Sequence, residues 1–165
     1  MTSQEKLTNL LKKEEVLCFG NFILRSGLAT TYYCDIKQAL GNVKILENFV
    51  SSLVPLVPKE TTCIAGSGYG GITLASLVAY KKKLPLILVR DKVKDHGTKK
   101  IIDGYLPGKK DYVCIVDDVF TTGSSISETK EKLKPLGCKL TQPIVVLNRS
   151  KKSSVISILA DKDLL

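Results

Sequence analysis

The segment 113–125 holds the side chains of this chain that are best suited to chemistry. Four apolar residues precede the carboxylates of Asp117 and Asp118, and a loop of threonine, glycine and serine follows at 121–125. An apolar run of this length is typical of a strand buried on both faces, and a helix is predicted to begin near the end of the loop. The pattern therefore predicts a strand that brings two acids and several hydroxyls to one place.

These residue types favour a phosphorylated sugar as the ligand. Backbone N–H groups at a helix N-terminus, together with neighbouring hydroxyls, bind a phosphate monoester. Two adjacent carboxylates repel phosphate, but they accept hydrogen bonds from sugar hydroxyls or bind a divalent cation carried by a phosphate. An ordinary strand-to-helix connection with a Ser or Thr N-cap has the same pattern. Other segments of the chain are therefore needed to distinguish a phosphate site from such a connection.

The rest of the chain predicts alternating strands and helices. Strands are predicted at 62–65, 85–89, 112–116 and 143–147, with helices at 72–82 and 125–134. This succession predicts an α/β fold with a parallel sheet, in which ligands bind beyond the carboxyl ends of the strands.

The N-terminal part is predicted to differ from this core. A helix capped by Thr2 or Ser3 comes first, and a second helix over 46–54 should end at Pro55. Between them, short strands at 16–25 and 29–36 predict a hairpin that stands apart from the parallel sheet.

Composition and charge agree with one enzyme-sized domain. The chain has 165 residues, of which 44% are hydrophobic, and its formal net charge is +9. Such a charge steers a polyanionic small molecule, although it would steer nucleic acid equally well. Five cysteines without a C-x-x-C pair, no apolar leader and no membrane-length apolar run predict a cytoplasmic location and no membrane partner.

Four segments together resemble the type I phosphoribosyltransferases, and among these the orotate phosphoribosyltransferase family. The segment 113–125 resembles the signature that binds the 5-phosphate of phosphoribosyl pyrophosphate, and 88–100 resembles the mobile catalytic loop. The segment 22–27, followed by Tyr32 and Tyr33, resembles the N-terminal hood of the family. With the glycine-rich segment 65–72 between them, the resemblance runs from about Phe19 to Arg149.

The resemblance implies a fold, an activity and an assembly. The expected fold is the type I phosphoribosyltransferase fold, a mostly parallel central sheet flanked by helices, with a small N-terminal hood hairpin. A single domain over 1–165 is expected, with the hood at about 1–40 and the core at about 41–165. The expected reaction transfers phosphoribosyl from phosphoribosyl pyrophosphate to orotate, giving orotidine 5'-monophosphate and pyrophosphate in pyrimidine biosynthesis. Mg²⁺ is the expected cofactor, and a homodimer is expected in which the catalytic loop acts across the interface.

The resemblance also implies roles for individual residues. The implied catalytic residues are Lys94, His96, Asp117 and Asp118. The implied ligands of phosphoribosyl pyrophosphate are Arg25, Arg90, Lys94, His96, Asp117, Asp118, Thr121, Thr122, Gly123, Ser124 and Ser125. The implied orotate site consists of Tyr32, Tyr33, Thr121 and Arg149, where the guanidinium of Arg149 pairs with the orotate carboxylate. Mg²⁺ is expected to arrive with the pyrophosphate, with Asp117 and Asp118 as the candidate protein ligands.

Three other interpretations remain open at this stage. The same fold serves purine or other base phosphoribosyltransferases. A non-catalytic phosphoribosyl pyrophosphate-binding regulator could use the lysine clusters for nucleic acid, but no helix-turn-helix or aromatic RNA-binding pattern accompanies them, so nucleic acid is not an expected partner. A dinucleotide-binding domain would explain Gly66, Gly68 and Gly71 with Asp91 further on, but not the basic segment or the hydroxyl loop.

Overall fold

The computed structural model describes residues 2–23, 29–92, 100–150 and 154–164. Its helices are α1 (Ser3–Lys13), α2 (Ile36–Ala39), α3 (Val43–Leu53), α4 (Gly68–Lys82), α5 (Ser124–Leu133) and α6 (Asp161–Leu164). Its strands are β1 (Leu17–Ile23), β2 (Ala29–Cys34), β3 (Cys63–Ser67), β4 (Leu86–Val89), β5 (Ile102–Gly104), β6 (Tyr112–Phe120), β7 (Lys139–Leu140), β8 (Ile144–Asn148) and β9 (Ile156–Ala160). The strands and helices alternate through the core, as predicted.

The central sheet is mostly parallel, which confirms the predicted architecture. Seven strands of the described chain form it in the order β5-β4-β3-β6-β8-β9, and β7 pairs with the start of β6. Every neighbouring pair is parallel except β4 and β5, which are antiparallel. Strand β6 lies in the middle of the sheet, so the segment that carries the acid pair is the most enclosed strand.

Both faces of the sheet are covered, and alternate residues of β6 face different helices. Cys114 and Val116 pack in a cluster with side chains of α3 and α4. Val113 and Ile115 pack in a second cluster that includes Ile126 of α5. Because both faces are buried, the strand consists of a continuous apolar run rather than an alternating one.

The N-terminal hairpin is confirmed as a separate two-stranded sheet. Strands β1 and β2 pair antiparallel, with a register shift between Phe19 and Phe22. Thr2 caps α1 in a capping box, since its side chain accepts from the Glu5 N–H while the Glu5 side chain accepts from the Thr2 N–H. Helix α3 begins at the Asn42 cap and gives way to a 3₁₀ turn that contains Pro55.

Three details differ from the sequence-based expectations. Strand β6 continues through the acid pair to Phe120, because β8 pairs with it from Val116 to Phe120. Helix α4 begins at Gly68 rather than at residue 72. Strand β5 lies between the strands predicted at 85–89 and 112–116, and α2, β5, β7, β9 and α6 were not predicted. No helix of the described ranges has the length and apolar character needed to cross a bilayer.

Candidate functional site

Asp117 and Asp118 lie near the C-terminal end of β6 and point to opposite faces of the sheet. Both side chains are buried. The Ser125 hydroxyl at the start of α5 donates to Asp117 Oδ2 at 2.9 Å. Asp118 instead packs against Gly70 at the start of α4. Each carboxylate therefore meets the N-terminal turn of a different helix, where the peptide dipoles stabilise negative charge.

Asp117 accepts two hydrogen bonds, but its burial disfavours the ionised form of the carboxylate. Its Oδ1 accepts from the Asp118 N–H at 2.9 Å, in addition to the Ser125 bond. Burial, and next the neighbouring charge of Asp118, raise the pKa of Asp117 from 3.8 to about 7, while those two hydrogen bonds act in the opposite direction. A ligand that supplies hydroxyl donors or a cation would stabilise the ionised carboxylate of Asp117.

Asp118 fits only because residue 70 is glycine. A Cβ atom at Gly70 would stand 2.5 Å from Asp118 Cγ and 3.0 Å from Asp118 Cβ. At Gly71, a Cβ would stand 3.1 Å from Asp117 Oδ1. The glycines therefore let the first turn of α4 approach both carboxylates closely.

The hydroxyl loop after β6 forms a small concave site. Its cavity of about 180 Å³ is lined by Asp117 and by residues 119–126. Gly123 adopts a left-handed backbone with φ +84 and precedes α5 without giving its N-terminus a side-chain cap. The Ser124 N–H donates to Thr122 Oγ1 at 3.4 Å. The next N–H groups of α5 and the hydroxyls of Thr121, Thr122, Ser124 and Ser125 suit a phosphate monoester.

A chain of buried hydroxyls ties the hydroxyl loop to β3. Thr129 Oγ1 donates to the Ser125 carbonyl at 2.9 Å, so Ser67 Oγ, 2.9 Å from Thr129 Oγ1, acts as the donor in that contact. Ser67 ends β3 and Thr129 lies on α5. The bond therefore fixes the first turn of α5 relative to the carboxyl end of the sheet.

A larger cleft of about 520 Å³ adjoins the phosphate-sized cavity. The two share Asp117, Val119 and Ser125. The larger cleft is further lined by residues 67–71 of the β3–α4 junction and by residues 33–37 of the hood. Residues 67–71, Asp35 and Lys37 were not predicted as site residues, although the glycine cluster directly after a strand was a usable signal.

The predicted acceptor residues are only partly brought together. Tyr33 lines the larger cleft, and Thr121 lines the smaller one. Tyr32 and Arg149 line neither cleft; instead the Arg149 guanidinium lies 4.7 Å from the Tyr32 ring centroid, and its Nε is 3.4 Å from Asp161 Oδ1. Their assignment to orotate stays a prediction.

The basic segment after β4 is described only at its two ends. Arg90 pairs with Asp103 of β5 and lines neither cleft. Lys132 of α5 donates to the carbonyls of Arg90 and Asp91 at 2.9 and 3.1 Å, which fixes the start of the segment. The predicted residues Arg25, Lys94 and His96 lie outside the described residues.

The two carboxylates fit a cation that arrives with its ligand. Within the described ranges, no group of three or more His, Cys, Asp and Glu side chains could hold a metal ion. Mg²⁺ usually keeps several waters and binds through one or two carboxylates plus substrate phosphates. Asp117 and Asp118 match that donor set, because both line the larger cleft next to the phosphate-sized cavity.

Known proteins similar to this chain include several that are named orotate phosphoribosyltransferase. No protein-family model matches the chain. The chain is 38% identical over 149 residues to an orotate phosphoribosyltransferase of Methanocaldococcus jannaschii, covering 90% of this chain and 84% of that protein. An orotate phosphoribosyltransferase of Methanopyrus kandleri is 35% identical, with 90% and 80% covered. The solved orotate phosphoribosyltransferase of Aeropyrum pernix matches with a TM-score of 0.82 at 28% identity, covering 96% of each chain.

Because Gly70 lies close to Asp118, we expect a single methyl group added at residue 70 to destabilise the folded chain. We expect Gly70→Ala to lower the free energy of unfolding by about 1–3 kcal/mol, because the new Cβ overlaps Asp118. Urea unfolding monitored by circular dichroism measures this value. Gly108→Ala is the matched control, since a Cβ at Gly108 meets nothing within 4 Å. Equal stability of the two variants would contradict the described contact.

The raised pKa of Asp117 predicts that a neutral residue at position 117 stabilises the folded chain at high pH but not at low pH. Because the folded pKa of about 7 exceeds the ordinary 3.8, the wild-type chain loses stability as pH rises through this window. Each unit of pKa difference corresponds to about 1.4 kcal/mol. Because the surroundings of the carboxylate relax when it ionises, we expect a smaller effect than the full difference. At about pH 8, Asp117→Asn should be more stable than the wild type by about 2 kcal/mol.

At about pH 3 this difference should largely vanish, since this pH lies below both the ordinary pKa of 3.8 and the folded pKa of about 7, and the carboxyl group is then mostly protonated in the folded and the unfolded chain. Urea unfolding without ligand or divalent cation at both pH values provides the test. Asp91→Asn, which changes an exposed carboxylate, serves as the control. A constant difference between Asp117→Asn and wild type across the window would refute the buried, proton-binding carboxylate.

Proposed function

The chain belongs to the orotate phosphoribosyltransferase family, and we infer that it transfers the phosphoribosyl group of phosphoribosyl pyrophosphate to orotate. The products are orotidine 5'-monophosphate and pyrophosphate, so the chain acts in pyrimidine biosynthesis as a pentosyltransferase. Its relatives support this at 38% and 35% identity over 90% of the chain. A purine acceptor is not favoured, because these relatives are orotate enzymes.

One observation in the structure carries the proposal: a phosphate-sized cavity and a carboxylate-lined cleft meet at Asp117 and Ser125. In our proposal the 5-phosphate lies on the hydroxyl loop, held by Thr121, Thr122, Gly123, Ser124 and Ser125. The ribose then extends into the larger cleft, where Asp117 and Asp118 accept hydrogen bonds from its hydroxyls. The pyrophosphate group continues toward the β3–α4 junction.

Mg²⁺ is the proposed cofactor. When bound, it neutralises the pyrophosphate charge as a Lewis acid, and Asp117 and Asp118 are the residues that would hold it. The raised pKa of Asp117 supports this, since an arriving cation or hydroxyl donor compensates the ionised carboxylate.

The proposed catalysis consists of positioning and charge neutralisation. Displacement at the anomeric carbon builds positive charge on the ribose, which the buried carboxylates stabilise, and negative charge on the departing oxygens. We assign the neutralisation of those oxygens to Arg90, Lys94, His96 and Arg25 on the basis of the family resemblance. No covalent intermediate is required.

The proposed acceptor site lies between the hood and the end of β8. Tyr33 faces the cleft, and Thr121 lies beside it. Tyr32 precedes Tyr33 in β2 and its ring contacts the Arg149 guanidinium. We assign the orotate carboxylate to Arg149, because a planar guanidinium binds a carboxylate through two parallel hydrogen bonds.

We further propose one phosphoribosyltransferase domain over 1–165, with a hood at about 1–40 and a core at about 41–165, working as a cytoplasmic homodimer. All five cysteines are unbonded, which suits a reducing compartment. The exposed Phe19 and Ile23 on the hood hairpin support an interface between two copies, across which the catalytic loop acts.

The acceptor assignment predicts a selective enzyme. With Mg²⁺ and phosphoribosyl pyrophosphate, we expect the protein to consume orotate but not uracil, hypoxanthine or adenine, as followed by base absorbance. In Arg149→Ala, orotate turnover should fall by about 100-fold or more, because a charge-assisted, bidentate contact is lost. Consumption of hypoxanthine instead of orotate would refute the acceptor, and binding of phosphoribosyl pyrophosphate without consumption of any base would favour a regulator.

The phosphate assignment predicts a different kinetic signature at Gly123. A side chain there is strained at φ +84, and its Cβ would stand 2.7 Å from the Phe120 ring. We expect Gly123→Val to raise the KM for phosphoribosyl pyrophosphate by about tenfold or more while the KM for orotate changes little. A variant in which only the orotate KM changes would place the 5-phosphate elsewhere. Gly108→Ala again serves as the control.

A further inference from the structure

Outside the two clefts, the strongest feature is a cluster of three side chains from three distant parts of the chain. Tyr32 comes from β2 of the hood, Arg149 follows β8, and Asp161 begins α6. The Arg149 guanidinium lies 4.7 Å from the centroid of the Tyr32 ring, and Arg149 Nε is 3.4 Å from Asp161 Oδ1. The Tyr32 hydroxyl donates to the same Asp161 oxygen. One carboxylate oxygen thus receives both donors.

The surroundings of Arg149 restrict the orientation of its guanidinium group. Tyr32 is 3% exposed, and the Arg149 side chain is 15% exposed, whereas the Asp161 side chain is 46% exposed. Burial, and next the hydrogen bond to Asp161, raise the pKa of Tyr32 above its ordinary value of 10, at which the hydroxyl is already protonated and able to donate at neutral pH. A guanidinium stacked on an aromatic ring and paired on one edge keeps a single orientation.

The cluster lies directly behind the wall of the larger cleft. The Arg149 N–H donates to the Phe120 carbonyl at 2.8 Å, which places Arg149 at the carboxyl end of β6. Tyr33 and Cys34, the residues that follow Tyr32, line the cleft. The charge of Arg149 also reaches this wall, since it lowers the pKa of Cys34 against the larger opposing effect of burial.

We propose that Asp161 and Tyr32 are positioning residues that hold Arg149 ready for the carboxylate of the acceptor, and that they thereby set the preference for a carboxylated pyrimidine. This inference rests on the proposed function. Asp161 occupies the Nε edge of the guanidinium and directs the rest of the group. Helix α6, which lies outside the clefts, thus contributes to acceptor choice.

The test uses two nucleotides that differ only in the carboxylate. Orotidine 5'-monophosphate carries it and uridine 5'-monophosphate lacks it, so the ratio of their dissociation constants isolates the contact with that group. Isothermal titration calorimetry on the full chain measures both constants. In Asp161→Asn, which keeps the side-chain shape, we expect the preference for orotidine 5'-monophosphate to fall about tenfold, or about 1.4 kcal/mol, with unchanged affinity for uridine 5'-monophosphate.

Two further variants separate positioning from folding. Tyr32→Phe keeps the ring under the guanidinium but removes the hydroxyl, and we expect a smaller loss of about threefold in the same preference. Lys162→Gln, an exposed neighbour on α6, should leave the preference and the melting temperature unchanged. In steady-state assays, Asp161→Asn should raise the KM for orotate by about tenfold and leave the KM for phosphoribosyl pyrophosphate within about twofold.

Each alternative outcome overturns the inference. An unchanged preference in Asp161→Asn would show that Asp161 has no part in acceptor choice, and an increased preference would show that it competes with the acceptor for Arg149. An equal loss for both nucleotides would indicate a general structural role. Failure of the proposed function is distinguishable, because the wild-type protein itself would then show no orotate turnover and no preference between the nucleotides.

Discussion

The pairing of two buried carboxylates at the carboxyl end of the central strand is the constraint on which the site depends. Adjacent residues of a strand face opposite sides of the sheet, so Asp117 meets α5 and Asp118 meets α4. Two buried negative charges this close are costly unless donors and dipoles compensate them. The N-terminal turns of both helices provide that compensation. The ligand of the site must then add hydroxyl donors or positive charge.

Several local features of the chain follow from this constraint. At residue 70 a Cβ would overlap Asp118, and at residue 71 a Cβ would crowd Asp117, so glycine suits both positions. Ser125 donates to Asp117, and the buried contact between Ser67 and Thr129 holds that serine in place. The same first turn of α5 thus supports a carboxylate on one side and offers uncapped N–H groups to an anion on the other.

The parts of the fold that the sequence predicted well are those that local pattern controls. The hairpin, the parallel strands and the hydroxyl loop each have a short-range signature, and the structure contains all three. Pairing with a distant partner was less predictable. The extension of β6 through the acid pair depends on β8, which follows more than twenty residues later in the chain. The placement of Arg149 behind the cleft likewise depends on Asp161, whose sequence position alone indicates no function.

Contacts between distant parts of the chain also connect the hood with the C-terminal end of the chain. Tyr32 lies near the start of the chain and Asp161 near its end, yet both contact Arg149, whose backbone is hydrogen-bonded to the end of β6. A shift of the hood therefore changes the position of a cation next to the cleft. Because Tyr33 and Cys34 form part of the cleft wall, our proposal links acceptor binding to the position of the hood through the Arg149 guanidinium. In our proposal, recognition of the acceptor depends on these tertiary contacts, whereas recognition of the phosphate depends on one local loop.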